Sequence, residues 1–200
     1  LSLRRQRQMC IRDSSNNVLT DFLKTGTYDR NREFFKTISP SMDILISSNL
    51  ERLLYHITND ATKVKSYMEK LQSTGCYQVD EATFKAIQET FSAGYLDDSA
   101  TKKCIHDIYQ QDNYVADTHT AVAWQVAQDY QKSTQDKTPM VVLSTASPYK
   151  FSDSVLSALG EDISDKDEFA LLDKLSTLNK DKIPQGLAPV SYTHLTLPTK

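Results

Sequence analysis

Two hundred residues, 39% of them hydrophobic and 24% charged, with a formal net charge of −3, suffice for one sizeable domain or for part of a larger one. No apolar run approaches the roughly 18–20 residues of a membrane-spanning helix, so no membrane partner is expected. The five glycines stand singly and form no Gly-x-Gly phosphate cradle, and Cys10, Cys76 and Cys104 are far apart, which predicts reduced thiols of a cytoplasmic protein and neither a disulfide framework nor a zinc site.

The chain opens on "RRQRQMCIRDS", four arginines ahead of an otherwise acidic protein. A targeting presequence and a nucleic-acid-binding arm both fit poorly, because the segment is short and stops at Asp13. Codons can be written for Arg4–Ser14 whose reverse complement, in a shifted frame, encodes Val190–Thr199. One DNA sequence in two orientations therefore accounts for both ends, and it resembles a transposon-end sequencing adapter. The expectation is that residues 1–14 and 190–200 are translated adapter and that 15–189 is the authentic chain. Setting aside the four Arg and one Asp of the first segment and Lys200 of the last leaves 18 basic against 25 acidic residues, a net charge of −7. No nucleic-acid signature remains, and Cys10 and His194 drop out of any site.

Along the authentic chain, Asn16 or Asn17 is placed to cap a short helix carrying Val18, Leu19 and Phe22, with Gly26 as its stop. Pro40 interrupts any helix through it, and "MDILIS" (42–47) is apolar enough for a buried strand. "SSN" then reads as a cap: Asn49 before a helix with Leu50, Leu53, Leu54 and Ile57 on one face and Glu51 suiting the helix dipole. Residues 60–72 predict a helix with Val64, Tyr67, Met68 and Leu71 inward, ending at Gly75. Asp80 caps the next, with Phe84, Ile87 and Phe91 on one face and a stop at Gly94. Ser99 caps a helix burying Cys104, Ile105 and Ile108. Asp117 opens a well-buried one carrying Ala121, Val122, Trp124, Val126 and Ala127. "PMVVLSTASPYKF" contains the clearest strand, a continuous β-branched run suited to a parallel sheet covered on both faces. "FSDSVLSALG" and "KDEFALLDKLSTLN" are two further helices, and "IPQGL" a terminal extended segment. The pattern is α/β and predominantly helical, part of an enzyme domain.

Ligands of open parallel sheets gather beyond the carboxyl ends of the strands, so "LSTASPYKF" is the strongest location for chemistry. Ser144, Thr145 and Ser147 supply hydroxyls that can bond a neutral ring nitrogen, and Lys150 can pair with phosphate. The competing reading is a polar strand-to-helix loop with a surface lysine. Asp117, His119 and Thr120 form either a capping arrangement with a packed histidine or part of a site. Ser47, Ser48 and Asn49 form either a cap or an anion-binding helix N-terminus. The four histidines have no metal-ligand spacing, so no metal is expected, and His56 and His106 read as structural.

"NNVLTDFLKTGTY", "SPSMDILISSNLERLLY", "DTHTAVAW" and "VVLSTASPYKF", in this order and spacing, resemble the threonine synthase family from about Asn16 to Pro189. The resemblance implies the C-terminal part of a tryptophan-synthase-like enzyme (pyridoxal-phosphate fold type II) with an incomplete sheet. It also implies the conversion of O-phospho-L-homoserine and water to L-threonine and phosphate, by a monomer or homodimer in full length. The family's Schiff-base lysine and Gly-rich cofactor-phosphate loop lie upstream, so no catalytic residue is assigned here and the fragment is expected to be inactive alone. Thr145 matches the family threonine at the pyridine nitrogen, where a hydroxyl leaves that nitrogen unprotonated, a tuning that suits β,γ-elimination followed by water addition. Lys150 matches a lysine near the substrate phosphate, and Ser147 stands where many members carry histidine. Thr118 replaces a common proline within "D-x-HTA", and Ser48 and Asn49 are candidate substrate contacts. The alternative is a non-catalytic homologue with a metabolite-binding or interaction role. A third reading, threonine dehydratase, is opposed by "SPSMDILISSNLER". A sheet without its partner strands exposes apolar edges, so poor solubility is expected.

Overall fold

In the computed structural model the described residues are 9–164, 167–180, 182–184 and 186–187. Arg4–Gln8, Val190–Thr199 and Gln185 of "IPQGL" lie outside them. The fold is α/β and predominantly helical, with eight α-helices and four short strands among the described residues. Two units divide it: Leu1–Asp98 with Val122–Leu143, and Ser99–Ala121 with Ser144–Lys200.

In the first unit, β1 (Met9–Asp13) pairs in parallel with β4 (Phe91–Tyr95), Met9 opposite Phe91 and Asp13 opposite Tyr95. Five of the residues expected to be translated adapter thus form a strand, through backbone bonds that place little demand on side-chain identity. β2 (Thr27–Asp29) and β3 (Cys76–Gln78) make a second, antiparallel pair. Around them lie α1 (Val18–Thr25), α2 (Leu50–Thr58), α3 (Ala61–Thr74) and α4 (Glu81–Gln88). Their inward faces bury Val18, Phe22, Leu54 and Ile87 completely. Tyr28, Tyr77 and Tyr67 stack in a row, with centroids 5.4 and 5.3 Å apart, and Phe22 meets Tyr28 edge-on at 5.8 Å. Such aromatic pairs add about 0.5–1.5 kcal/mol each beyond the area they bury.

The caps expected from the sequence are partly rearranged. Asp80 caps α4 as expected, its Oδ1 accepting from the Thr83 amide at 3.2 Å. Asn17 occupies the first position before α1 without a capping side-chain bond, its oxygen accepting from Arg32 instead, and Asp13 caps, accepting from the Thr20 amide at 2.7 Å. Asn49 likewise precedes α2 without capping it, because its side-chain oxygen accepts from the Arg52 guanidinium. α5 (Asp98–Asp112) begins before Ser99, which falls in its first turn.

Three expectations about strands are corrected. Met42–Ser47 is not a strand: one 3-10 turn at Pro40–Met42 leads into irregular chain, with Ile46 51% exposed. The Tyr28 hydroxyl donates to the Leu45 carbonyl and accepts from the Ser47 amide, both at 2.9 Å, taking up groups a ladder would need. Phe91–Gly94 is not helical, because Phe91 and Ala93 alternate onto the core with period two, as β4. The run Met140–Ser144 belongs to no ladder among the described residues, and Val141 and Leu143 are 84% and 67% exposed. A strand meant to be covered on both faces has no neighbour here to pair with. Trp124 on α6 (Thr118–Thr134) also departs from expectation at 36% exposed, while Ala121, Val122, Val126 and Ala127 are buried.

Gly75 ends α3 at φ +77, and a Cβ built there would stand 2.2 Å from the Asn31 side-chain oxygen. Gly75→Ala is therefore expected to cost about 1–2 kcal/mol of unfolding free energy, from left-handed backbone strain alone. A urea titration checks it.

Candidate functional site

The second unit is built from α5, the start of α6, a 3-10 turn at Pro148–Phe151, α7 (Ser152–Ala158) and α8 (Glu168–Leu178). α5 turns Cys104, Ile105 and Ile108 inward, as its spacing predicts, and Thr101 with them. The chain leaves α5 at Asn113, whose positive φ suits asparagine, and reaches Asp117 through buried Val115 and Ala116.

Asp117 is 1% exposed. Its Oδ1 accepts from the His119 amide at 2.9 Å and the Thr120 amide at 3.3 Å, which caps α6. The same oxygen lies 3.2 Å from His119 Nδ1, and its Oδ2 accepts from the Thr120 hydroxyl. Burial pushes the Asp117 carboxyl up, yet the bonds from His119 and Thr120 prevail and hold it below the ordinary carboxylate range. An ionised Asp117 makes Nδ1 of His119 the protonated ring nitrogen.

The loop that follows Leu143 meets this carboxylate on two sides. Ser144 Oγ lies 3.3 Å from Thr120 Oγ1 and 3.3 Å from the Tyr114 hydroxyl. His119 packs its ring on Phe151, centroids 4.8 Å apart. Between these contacts Ser147 closes the turn, its hydroxyl accepting from the Tyr149 amide at 3.4 Å and its carbonyl from the Lys150 amide at 3.1 Å. Tyr149 is buried beneath, while Thr145 and Lys150 are exposed. Ser144, Thr145, Ser147 and Lys150 therefore share one loop whose donors are hydroxyls and an ammonium, with no carboxylate between residues 144 and 150. That donor set fits a neutral ring nitrogen and an anion.

Ser48 and Asn49 belong to the first unit, exposed in the turn before α2. The Tyr28 bond to Ser47 fixes this turn from below. Asp43 fixes the chain ahead of it, accepting from Ser14, Asn16 and the backbone and hydroxyl of Thr37 at 2.7–2.9 Å. A groove of about 640 Å³ in the same unit, between β4 and Val126, Tyr130 and Ser133 of α6, includes neither residue. Sequence reasoning missed Tyr28, Asp43, Tyr114 and Phe151. Asp43, a lone acid inside the apolar "SMDILI", was the detectable signal; the others act across separations that no local pattern records.

Residues 120–188 match the family model described as threonine synthase, C-terminal. Human threonine synthase-like 1 is 38% identical over 156 residues, covering 76% of this chain and 20% of its own length. Threonine synthase of Saccharomyces cerevisiae is 32% identical over 200 residues, covering 86% and 37%. Among solved structures, pyridoxal-phosphate-bound threonine synthase from Brucella melitensis superposes with a TM-score of 0.73 at 36% identity, over 84% of this chain and 36% of that one. The yeast enzyme gives 0.76 at 29% identity, over 93% and 37%. The chain thus spans between a fifth and about 37% of the relatives named here.

Asp117→Asn removes the charge that gathers the bonds around α6. It is expected to cost about 2 kcal/mol of stability near neutral pH, the value of charge-assisted hydrogen bonds. Since the carboxyl is held below its ordinary value, wild-type Asp117 stabilises fully above an unfolded value of about 3.9. That advantage fades as pH falls through the depressed folded value, so urea titrations at about pH 7 should separate the two proteins more than titrations at about pH 3.

Proposed function

As this chain is the C-terminal region of a member of the threonine synthase family, we propose that it is part of an enzyme converting O-phospho-L-homoserine and water to L-threonine and phosphate with pyridoxal phosphate. The observation that supports this best is the Ser144–Lys150 loop, which lies inside the family match and offers hydroxyls and an ammonium without a carboxylate. The cofactor, when bound, supplies the electron sink for elimination and water addition. Thr145 would hold the cofactor's pyridine nitrogen through its hydroxyl, which would leave that nitrogen neutral. Lys150 binds the substrate phosphate, with Ser147, Ser48 and Asn49 as further substrate contacts. The lysine that anchors the cofactor belongs to the upstream part of the enzyme, so this chain alone is inactive. The enzyme is cytoplasmic and acts as a monomer or homodimer on this small-molecule substrate, with neither nucleic acid nor membrane as partner. Residues 15–189 are the catalytic-domain segment, and 1–14 and 190–200 are translated adapter.

A second reading, a non-catalytic homologue with a metabolite-binding or interaction role, is favoured by one comparison: a relative called synthase-like, at 38% identity, stands above the yeast synthase at 32%. The full-length gene decides between them, since release of phosphate and threonine from O-phosphohomoserine belongs to the enzyme alone.

In that full-length protein Thr145→Val should lower turnover about 2–10-fold, the equivalent of losing a neutral hydrogen bond worth ~0.5–1.5 kcal/mol, with folding retained. Unchanged threonine formation would remove Thr145 from the site. The genomic locus should continue upstream of Asn16 into family sequence in place of the codons for Arg4–Ser14. Finding those codons in the native gene would sink the adapter assignment.

A further inference from the structure

We infer that Asp117 is a positioning residue that holds both ends of the Ser144–Phe151 loop and thereby fixes Thr145 and Lys150. The inference rests on the proposed reading of that loop as the cofactor and substrate face.

Each carboxylate oxygen carries one arm. The Thr120 hydroxyl touches Asp117 Oδ2 on one side and Ser144 Oγ, at 3.3 Å, on the other. Ser144 Oγ in turn stands 3.3 Å from the Tyr114 hydroxyl. A line of hydroxyls thus connects Tyr114, Ser144 and Thr120 to the charge on Asp117. This arm ends at Ser144, the residue immediately before Thr145. The other arm runs from Oδ1 to His119 Nδ1 at 3.2 Å and from the imidazole to the Phe151 ring at 4.8 Å. It ends at Phe151, the residue immediately after Lys150.

A helix cap needs neither arm. Asp60 caps α3 by accepting from the Lys63 amide alone, at 2.9 Å and exposed. Asp117 makes the equivalent backbone bonds and then adds a hydroxyl and an imidazole, both buried, each leading to the same loop. Thr145 itself is exposed, between the two residues on which the arms end. Displacement of a positioning group by about 1 Å can cost as much as 10²-fold in rate.

The test uses the full-length enzyme. Thr120→Val cuts the first arm while leaving the Asp117 cap of α6 in place. It should lower kcat about tenfold at near-constant KM for O-phosphohomoserine, by the same displacement argument. In the cofactor-free protein it should speed amide hydrogen exchange across residues 144–151, and Thr120→Ser should restore both quantities. Ser144→Ala cuts the same arm at an exposed position and serves if Thr120→Val does not fold. A variant that lowers only the unfolding midpoint, with kcat and loop exchange as in wild type, overturns the inference. Thr145→Val separates the two claims. If it leaves turnover intact, the reading of the loop as the cofactor face falls, and loop exchange in Thr120→Val still decides whether Asp117 positions it.

Discussion

A carboxylate withdrawn from water must be given donors, and the second unit is arranged around that requirement at Asp117. An unpaired buried charge costs several kcal/mol, so the residues that satisfy it are constrained together. Two of the donors are backbone amides, which requires a helix to start at Thr118. The other two are side chains of that first turn, which brings the Thr120 hydroxyl and the His119 ring to the carboxylate. Once they are there, the loop from Ser144 to Phe151 has two fixed points to lean on. The order of cause runs from charge to helix start to loop, and the hydroxyls of that loop are its product.

The first unit solves a similar problem where regular structure is thin. The chain between β2 and α2 is largely irregular, and its backbone groups cannot all find ladder partners. Asp43 and the Tyr28 hydroxyl stand in for a ladder there. Asp43 is held below its ordinary value, burial acting against it and the bonds from Thr37, Ser14 and Asn16 outweighing burial. Tyr28 reaches the segment from a buried ring stacked on Tyr77. Its hydroxyl then meets the two backbone groups just ahead of Ser48. Phe34, Phe35 and Ile46 of the same segment are exposed.

The sequence made the helices legible because their signals are local. Gly26 and Gly75 at positive φ, Asp80 at a cap, and Leu50 and Leu54 one turn apart all act within a few residues. Strands depend on partners, and that is where reading failed. Phe91–Tyr95 carried a mixed period until β1 supplied a neighbour, and Met140–Ser144 has a strand's composition without a strand's company. The candidate site divided the same way. Ser144, Thr145, Ser147 and Lys150 were visible as a polar patch after an apolar run, and Asp117 as a helix start. What joins them was not visible, since Tyr114 and Ser144 are 30 residues apart and hydroxyls carry no periodic signature.

β1 shows how far backbone pairing alone can carry a segment. Met9–Asp13 sets Ile11 against the core but is otherwise ill suited to one: Met9 is 55% exposed, and Arg12 stands among the partly buried positions. The strand forms nonetheless, because parallel pairing is made by amides and carbonyls that every residue possesses. Its last residue then takes on a specific task. Asp13 is 3% exposed, and burial pushes its carboxyl up despite the bonds from Thr20 that pull it down. This is the reverse of Asp117, where the bonds prevail. A cap whose carboxyl is raised by its surroundings is a poorer fit than one whose carboxyl is lowered. The difference follows from the donors: Asp117 gathers two side chains and two amides, whereas Asp13 depends on Thr20 and the adjacent backbone.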